Sequence, residues 1–348
     1  MPAPVRLLST AIAVPPHELP QSQALEVARQ LFGARFAGFD RMAPVFASTG
    51  IQMRHLVKPV DWYLEPRGWP ERTAAYLEGG LDLFCEAATA ALDEAGLTGS
   101  EVDMIVTVSS TGIATPSLEA RAMGRMNFRP DAVRVPVFGL GCAGGASGLA
   151  LASRLAASSP SAVVLMVAVE TCSLAFRTDE LTKANIVATA LFGDGAAACV
   201  LRAGEAGFAA ITGHAERTWP DTLDIMGWKV DPTGFGEIFD RAIPPFAQAN
   251  LRPAMDEMLA GQDLTVGEVD RFICHPGGTK VVEALESCLD LGQGALDHER
   301  AVLADHGNMS APTVIHVLDR ARKAGLPRQS VVTSLGPGFT ASTVTLAA

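Results

Sequence analysis

The residue best suited to chemistry is Cys142, which lies in the segment Val-Phe-Gly-Leu-Gly-Cys-Ala-Gly-Gly-Ala-Ser-Gly. This pattern predicts that an apolar strand ends, that Gly141 permits a tight turn, and that a helix starts directly after the thiol. The positive end of a helix dipole favours thiolate over thiol and lowers the pKa of a cysteine. Backbone N–H groups in such a turn can also face a developing oxyanion. An isolated cysteine is more often a small buried hydrophobe, but the flanking glycines and the partners described next favour a nucleophile.

Two polar residues further along the chain occupy similar turn positions. His275 closes the strand-like run Phe-Ile-Cys-His and is followed by Pro-Gly-Gly. A histidine there can stabilise a thiolate and then donate to a substrate carbonyl. Asn308, in Asp-His-Gly-Asn-Met-Ser-Ala-Pro, follows a glycine at the start of a helix, and its amide is a neutral donor that does not titrate. Taken alone, the histidine would be interpreted as a core residue and Gly-Asn as a turn.

Together, the three residues predict acyl transfer rather than proteolysis. The sequence places no carboxylate to orient the histidine, as a protease triad requires. A thiol with two donors aimed at a thioester carbonyl suits decarboxylation of a malonyl group. The carbanion so formed can attack an acyl group that the cysteine holds as a thioester.

Strands and helices alternate through the elements that must hold these residues, and apolar strands covered by helices indicate α/β layers. The predicted strands are Val102–Ser109, Val133–Leu140, Ala162–Val169, Ala196–Leu201, Arg271–Cys274, Ser330–Ser334 and Ala341–Leu346, together with a first strand near the N-terminus. The predicted helices are Ala143–Ala157, Thr279–Leu291 and Ser310–Ala324, the last with Ser310 as its N-cap.

The chain divides into two halves in this interpretation. The stretch Gly204–Gly213 has a mixed composition and separates them. Residues 1–205 carry the cysteine, and residues 206–348 carry the histidine and the asparagine. The region Arg35–Gly79 is irregular, and we expect loops and helices there.

Composition limits the class of protein. The 348 residues are 48% apolar and 19% charged, which excludes a disordered chain. The net charge of -11 disfavours nucleic acid as a partner. Six cysteines without CxxC spacing indicate free thiols in a reducing, cytoplasmic compartment. The longest apolar run, Ala162–Val169, is too short for a membrane span, which needs roughly twenty residues.

Five motifs, in this order and spacing, make the sequence resemble the type III polyketide synthases. This is the chalcone and stilbene synthase family within the thiolase-fold superfamily. The resemblance covers most of the chain, from about Val102 to Ala348 and more weakly before that. The motifs are Gly-Cys-Ala-Gly-Gly at 141–145, Leu-Phe-Gly-Asp-Gly-Ala at 191–196, His-Pro-Gly-Gly at 275–278, Gly-Asn-Met-Ser at 307–310 and Leu-Gly-Pro-Gly-Phe-Thr at 335–340.

The resemblance implies a five-layered αβαβα fold made of two similar halves, in a homodimer that needs no cofactor or metal. It implies an acyl-CoA starter and malonyl-CoA as substrates. Cys142 matches the family's nucleophile, and His275 and Asn308 match its decarboxylation pair. The other matched positions are the gatekeeper Phe192, the cavity-wall residues Cys172, Ala175 and Ser310, Thr115 reaching across the dimer, and Pro337 near the active site. Gly227 is expected nearby, and the stretch Gly234–Glu237 holds a second aromatic position of open register. By approximate position, Arg54 and Lys58 are candidates for binding CoA.

Three alternatives remain. A ketoacyl synthase III uses the same three residues with a carrier-bound malonyl group, but it typically has His-Gln-Ala-Asn where this chain has His-Pro-Gly-Gly. A hydroxymethylglutaryl synthase or a degradative thiolase would have a different residue where this chain has Asn308. A catalytically inactive thiolase-fold protein that binds an acyl ligand or a partner enzyme is the non-enzymatic alternative.

The most specific prediction concerns the acyl-CoA starter. Small side chains at Cys172, Ala175 and Ser310 leave room in the cavity, and an apolar tunnel favours an alkyl chain by about 0.8 kcal/mol for each buried methylene. We therefore expect a fatty acyl-CoA starter that malonyl-CoA extends to an alkylpyrone or an alkylresorcinol.

Overall fold

Apolar strands and the helices that cover them alternate along the chain in the computed structural model, which describes residues 3–348. The strands are β1 (Val5–Ala13), β2 (His17–Pro20), β3 (Met53–Leu56), β4 (Met104–Val108), β5 (Val133–Val137), β6 (Val164–Thr171), β7 (Asp194–Ala203), β8 (Ala209–Thr218), β9 (Met226–Asp231), β10 (Gly234–Phe239), β11 (Arg271–Cys274), β12 (Gln329–Gly336) and β13 (Thr340–Ala347). The helices are α1 (Gln21–Phe32), α2 (Phe39–Met42), α3 (Pro44–Ser48), α4 (Val60–Leu64), α5 (Trp69–Ala95), α6 (Leu118–Ala122), α7 (Gly144–Ser158), α8 (Lys183–Leu191), α9 (Ile243–Ala260), α10 (Thr279–Cys288), α11 (Asp297–His306) and α12 (Ala311–Gly325).

Nine strands form one hydrogen-bonded sheet in the order β11-β12-β13-β8-β1-β7-β6-β4-β5. In the first half, β4 pairs parallel with β5 and β6, and β7 runs antiparallel to both β6 and β1. The second half repeats the scheme, because β11 is parallel to β12 and β13 runs antiparallel to both β12 and β8. The two halves join where Val5–Leu7 of β1 pairs with residues 209–211 of β8. The shared succession of pairings makes the halves similar.

Two helices lie between the halves. Helix α7 packs on β4 and β6 of the first half and also on β13 of the second, while α12 contacts β1, β7 and β11. On the outside, α5 covers β1, β6 and β7, and α9 covers β8. The resulting order of helix, sheet, helix, sheet and helix is the five-layered αβαβα fold, so the predicted fold class is confirmed.

The two central helices approach each other closely because a glycine lies at their contact. A Cβ atom on Gly145 of α7 would stand 2.4 Å from the carbonyl oxygen of Ala311, the first residue of α12. Any other side chain at this position would separate the helices. The N-termini of α7 and α12 are therefore neighbours, and each follows a residue that the sequence singles out, Cys142 or Asn308.

The predicted strands and helices are present, with bounds that differ by a few residues. The main difference lies in the region Arg35–Gly79. There β3 pairs with β2, whereas the sequence predicts loops and helices without a strand. The start of α5 at Trp69 agrees with that prediction. The gap between β7 and β8 falls within Gly204–Gly213, and the division at residues 205 and 206 stays a prediction.

The described helices also bear on membrane association. None of the helices between residues 3 and 348 combines the length and the apolar composition that a bilayer crossing requires.

Candidate active site

Cys142 lies in a 3-10 turn (Gly141–Ala143) between β5 and α7. Gly141 adopts a φ of +48°, and a Cβ atom there would be 2.7 Å from the ring of Pro337. The closing turn at Pro337 therefore packs directly against the nucleophile turn. The N–H of Gly141 donates to the Ser110 hydroxyl at 3.1 Å, which fixes the loop from the other side. The Cys142 side chain is buried, as a thiol at the floor of a cavity would be.

His275 and Asn308 are held together by the loop that follows β11. The N–H of His275 donates to the Thr333 carbonyl at 2.9 Å, which extends the pairing of β11 with β12 by one residue. The Asn308 amide nitrogen donates to the carbonyl of Gly277, two residues after the histidine, at 3.3 Å. Its oxygen accepts the Ser310 N–H at 2.8 Å. Neither ring nitrogen of His275 has a hydrogen-bond partner within residues 3–348. Both nitrogens of the buried imidazole are therefore left without a partner from the described part of the chain.

A cavity of about 390 Å³, part of it open to solvent, surrounds the thiol. It is lined by Gly141, Cys142, Cys172, Phe192, Met226, Gly227, Trp228, Glu237, Ile238, Phe239, Ser310 and Pro337. The structure therefore brings together five of the predicted pocket residues, namely Cys172, Phe192, Ser310, Gly227 and Pro337. The described lining does not include two others: Ala175 is buried one turn beyond Cys172, and Thr115 is exposed at the surface.

The ionisation of the thiol differs from the sequence-based expectation. Burial raises the pKa of Cys142 to about 12, and hydrogen bonding from the Ser310 and Asn308 side chains offsets only part of this rise. Burial also lowers the pKa of His275 to about 3. Burial thus outweighs the predicted lowering of the Cys142 pKa by the helix dipole.

A buried carboxyl that the sequence analysis missed supports the cavity wall. Glu170, near the end of β6, accepts the Ser110 N–H at 2.9 Å and the Thr111 hydroxyl at 2.7 Å. Burial raises its pKa to about 8. Because Ser110 also accepts the Gly141 N–H, Glu170 helps to position the nucleophile turn. An acidic residue at the end of a wholly apolar strand is the signal that could have found it.

Two phenylalanines stand where the cavity meets a second, larger groove. Phe192, directly after α8, packs edge-on against Phe239 with ring centres 6.1 Å apart. Phe239 lines both the inner cavity and an outer groove, whose space including the part open to solvent is about 1240 Å³. Lys183, Arg241 and Lys280 line this outer groove, and none of them forms an ion pair with the described residues.

The two predicted CoA-binding residues lie elsewhere. Arg54 is fully buried, and its guanidinium donates to the carbonyls of Thr189 at 2.6 Å and Phe192 at 2.8 Å, where α8 ends. These contacts favour a role of Arg54 in holding the end of α8, and its CoA-binding role stays a prediction. Lys58 is partly exposed and pairs with Glu78, outside both the cavity and the outer groove. The unpaired cations of the outer groove were missed because they are scattered over 98 residues of sequence.

The structure also fixes the register that the sequence left open. In the stretch Gly234–Glu237, Phe235 packs between Trp69 and Trp228, with ring centres 5.0 Å and 5.6 Å away. Glu237 is the member that lines the Cys142 cavity. A carboxyl therefore occupies the wall where an aromatic side chain was considered.

Comparison with known families agrees with this geometry. Residues 70–205 match the model of the N-terminal domain of chalcone and stilbene synthases, and residues 215–348 match the model of the C-terminal domain. The chain belongs to the chalcone and stilbene synthase family. It is a type III polyketide synthase, an enzyme that transfers acyl groups through decarboxylating condensation.

Individual relatives of this polyketide synthase cover nearly its whole length. It is 39% identical over 345 residues to the 1,3,6,8-tetrahydroxynaphthalene synthase of Streptomyces peucetius subsp. caesius. The alignment covers 96% of this chain and 90% of the relative. It is 34% identical to a putative chalcone synthase of Bacillus subtilis (strain 168), with 96% of each chain covered. The crystal structure of 1,3,6,8-tetrahydroxynaphthalene synthase from Streptomyces coelicolor A3(2) superposes with a TM-score of 0.93 at 28% identity, covering 98% of this chain and 99% of that one. These matches favour a type III polyketide synthase over a ketoacyl synthase III and over an inactive binding protein.

Proposed function

We propose that this polyketide synthase condenses malonyl-CoA with an acyl group held as a thioester on Cys142, with His275 and Asn308 as the decarboxylation pair. The observation that carries the proposal is the convergence of a buried thiol with an asparagine amide beside it and an unpartnered imidazole joined to that amide through the Gly277 loop. A carboxylate partner would make the imidazole a stronger base, whereas an imidazole without one is suited to neutral hydrogen-bond donation.

In the loading step, the Cys142 thiol gives its proton to His275 as the sulfur attacks the carbonyl carbon of an acyl-CoA. The tetrahedral intermediate collapses, the bond to the CoA sulfur breaks, and His275 returns the proton to the departing CoA thiolate. We expect a backbone N–H of the nucleophile turn to donate to the oxyanion. The products are free CoA and an acyl group on Cys142.

In the extension step, the thioester oxygen of malonyl-CoA accepts hydrogen bonds from the Asn308 amide and from the N–H of neutral His275. Loss of carbon dioxide leaves its electron pair in an enolate whose oxygen these donors stabilise. The enolate carbon attacks the acyl carbonyl on Cys142, and the cysteine sulfur leaves. The chain, longer by two carbons, is then a CoA thioester that Cys142 can accept again.

The outer groove provides the route for CoA in this proposal. Lys183, Arg241 and Lys280 are exposed cations without ion-pair partners in the described chain, and CoA carries several phosphate charges. The groove meets the inner cavity at Phe239. Phe192 and Phe239 would then admit the acyl group and pantetheine arm while they exclude water from the thiol.

For the starter, we propose a short and polar acyl group such as a malonyl unit, with a polyhydroxylated aromatic compound as the product. Support comes from relatives named for 1,3,6,8-tetrahydroxynaphthalene and phloroglucinol, since neither compound carries an alkyl chain. Further support comes from Glu237, because a carboxyl buried against an alkyl chain without a partner costs about 1–3 kcal/mol. A fatty acyl starter, the expectation from the sequence, is the second candidate, favoured by the small wall residues Cys172 and Gly227.

We also propose that the enzyme is a homodimer in which β5 lies at the interface. This strand forms an open edge of the sheet, and it presents Val133 and the following Phe138, which are 50% and 56% exposed. Ile113, two residues before Thr115, is also 56% exposed. An edge strand with an apolar surface invites pairing with another chain, and a second copy would cover it.

Mass spectrometry of products from a panel of starters tests the proposal. The enzyme is incubated with malonyl-CoA alone and together with acetyl-, hexanoyl- or dodecanoyl-CoA. We expect CoA and carbon dioxide release and an aromatic product from malonyl-CoA alone. Products that contain the dodecanoyl chain, in excess of those from malonyl-CoA alone, would support the fatty acyl starter instead.

A further inference from the structure

The carboxyl of Glu237 enters the Cys142 cavity without a partner from the protein. Glu237 is in β10 opposite Trp228 of β9, and both residues line the cavity wall. Its Oε1 atom is shielded from solvent and has no hydrogen-bond partner within residues 3–348. A buried polar atom in a native fold is nearly always bonded, so an unbonded one that faces a substrate cavity needs an explanation.

Other buried carboxyls in the chain show what a structural role looks like here. Both oxygens of Glu286 bond to Arg300, and one of them also accepts two backbone N–H groups. Asp194 accepts the N–H of Val57 at 2.8 Å and of Ser173 at 2.7 Å. Glu170 accepts two donors through its Oε2 atom, although its Oε1 atom has no partner within residues 3–348. By contrast, no bond within the described chain ties Glu237 to the scaffold, so folding alone does not account for its carboxyl.

The charges that face Glu237 favour its neutral form. Burial raises its pKa well above the usual range, and the nearby carboxylate of Glu180 raises it further. Across the cavity are the thiols of Cys142 and Cys172, and the pKa of each is raised in part by Glu237. The cations on adjoining elements, Lys183 of α8 and Lys229 of β9, are exposed. A protonated carboxyl has an O–H to donate.

We propose that Glu237 is a specificity-determining residue whose carboxyl donates a hydrogen bond to a keto oxygen of the growing chain held on Cys142. The inference rests on the proposed function. A chain built from malonyl units carries a carbonyl at every second carbon, so an alkyl wall would leave those oxygens without partners. One donor at a fixed place in the wall selects one folded conformation of the chain. It thereby determines which carbons meet when the ring closes.

Two substitutions separate donation from shape. Glu237→Gln keeps the size and a donor, whereas Glu237→Leu keeps the approximate size and removes both donor and acceptor. Glu180→Gln is the matched control, since it removes the neighbouring charge outside the cavity. Intact-protein mass spectrometry measures acyl loading on Cys142, and liquid chromatography with mass spectrometry measures the ratio of ring-closed products to prematurely released chains or lactones.

We expect the Glu180→Gln control to load and decarboxylate malonyl-CoA at close to the wild-type rate, because Glu180 lines neither the cavity nor the outer groove. The product ratio should stay near wild type in Glu237→Gln and fall about tenfold in Glu237→Leu, the loss expected for one hydrogen bond. As pH rises, the carboxyl loses its proton and stops donating, so the wild-type ratio should fall toward that of the Leu variant. The product ratio of Glu237→Gln should not change with pH, because an amide does not titrate. A merely structural role of Glu237 would not predict this difference between the wild type and the Gln variant.

The outcomes distinguish the two proposals. Absence of acyl loading on Cys142 in the wild type overturns the proposed function itself. Normal loading with an unchanged product ratio in Glu237→Leu overturns the role of Glu237. If the Leu variant does not fold, equal pH profiles of the product ratio in the wild type and Glu237→Gln overturn that role equally.

Discussion

Replacing Arg54 distinguishes a scaffold role from the CoA-binding role that its sequence position suggests. Arg54→Met keeps an apolar side chain of similar length and removes the donors to the Thr189 and Phe192 carbonyls. These carbonyls lie at the C-terminus of α8, where a cation also compensates the helix dipole. The substitution leaves both carbonyls buried without their charged partner and loosens the chain at Phe192.

The expected loss in the free energy of unfolding follows from the two hydrogen bonds that Arg54 donates. A hydrogen bond from a charged donor contributes about 1.5–3 kcal/mol, so the two bonds to the neutral carbonyls together contribute about 3–5 kcal/mol. Taking about 3–5 kcal/mol and roughly 2 °C per kcal/mol for a chain of this size, we expect the melting temperature to fall by roughly 6–10 °C. The KM for malonyl-CoA of the enzyme that remains folded should change little.

Differential scanning fluorimetry and steady-state kinetics on the same preparations measure both quantities. Lys58→Met is the matched control, because its partly exposed pair with Glu78 should contribute less than about 1 kcal/mol. An Arg54→Met enzyme with an unchanged melting temperature and a tenfold higher KM for malonyl-CoA would refute the scaffold role. It would instead support a role of Arg54 in CoA binding.

Three further predictions concern the site and the assembly. Asn308→Ala should still be acylated by a starter but extend about a hundred to a thousandfold more slowly, because one oxyanion donor is lost; an extension rate equal to wild type in a single-turnover assay would contradict this. Charge reversal by Lys183→Glu together with Lys280→Glu should raise the KM for malonyl-CoA with little change in kcat, and added salt should narrow the difference from wild type; an unaltered KM at low salt would exclude the outer groove as the CoA site. Phe138→Asp should weaken a homodimer at β5, so light scattering should detect monomers at micromolar concentration, whereas a wild type that is itself an active monomer would refute the assembly.

The sequence was sufficient for the central layers of the fold. Strand β6 is buried along its whole length, and its uninterrupted apolar run identified it. Helix α7 is predicted by apolar residues at helical spacing after a strand, and Gly145 allows it to contact α12. The start of α5 at Trp69 agrees with the helices expected in Arg35–Gly79, although the pair Gly79-Gly80 normally weakens a helix prediction. A Cβ atom on Gly79 would be 2.8 Å from Val57, so tertiary packing rather than helix propensity selects that glycine.

The candidate site was predictable only where one short motif carries the chemistry. Cys142, His275 and Asn308 each lie at a strand or helix end marked by glycine, and this is visible in one dimension. Arg54 shows the limit, because an arginine in an irregular stretch is expected at the surface. Its burial depends on carbonyls at Thr189 and Phe192, more than 130 residues away. The role of Glu237 likewise depends on the pairing of β10 with β9, since a shift of one residue would turn its side chain away from the cavity.

The central claim is that Cys142 carries the acyl chain. Intact-protein mass spectrometry of the wild type and of Cys142→Ala, each quenched in acid within seconds of mixing with malonyl-CoA, measures this directly. We predict an added mass of acyl or polyketide groups on the wild type, mapped by proteolysis to the peptide with Cys142, and no added mass on Cys142→Ala. An equal adduct on the Ala variant, together with normal product formation, would contradict the account.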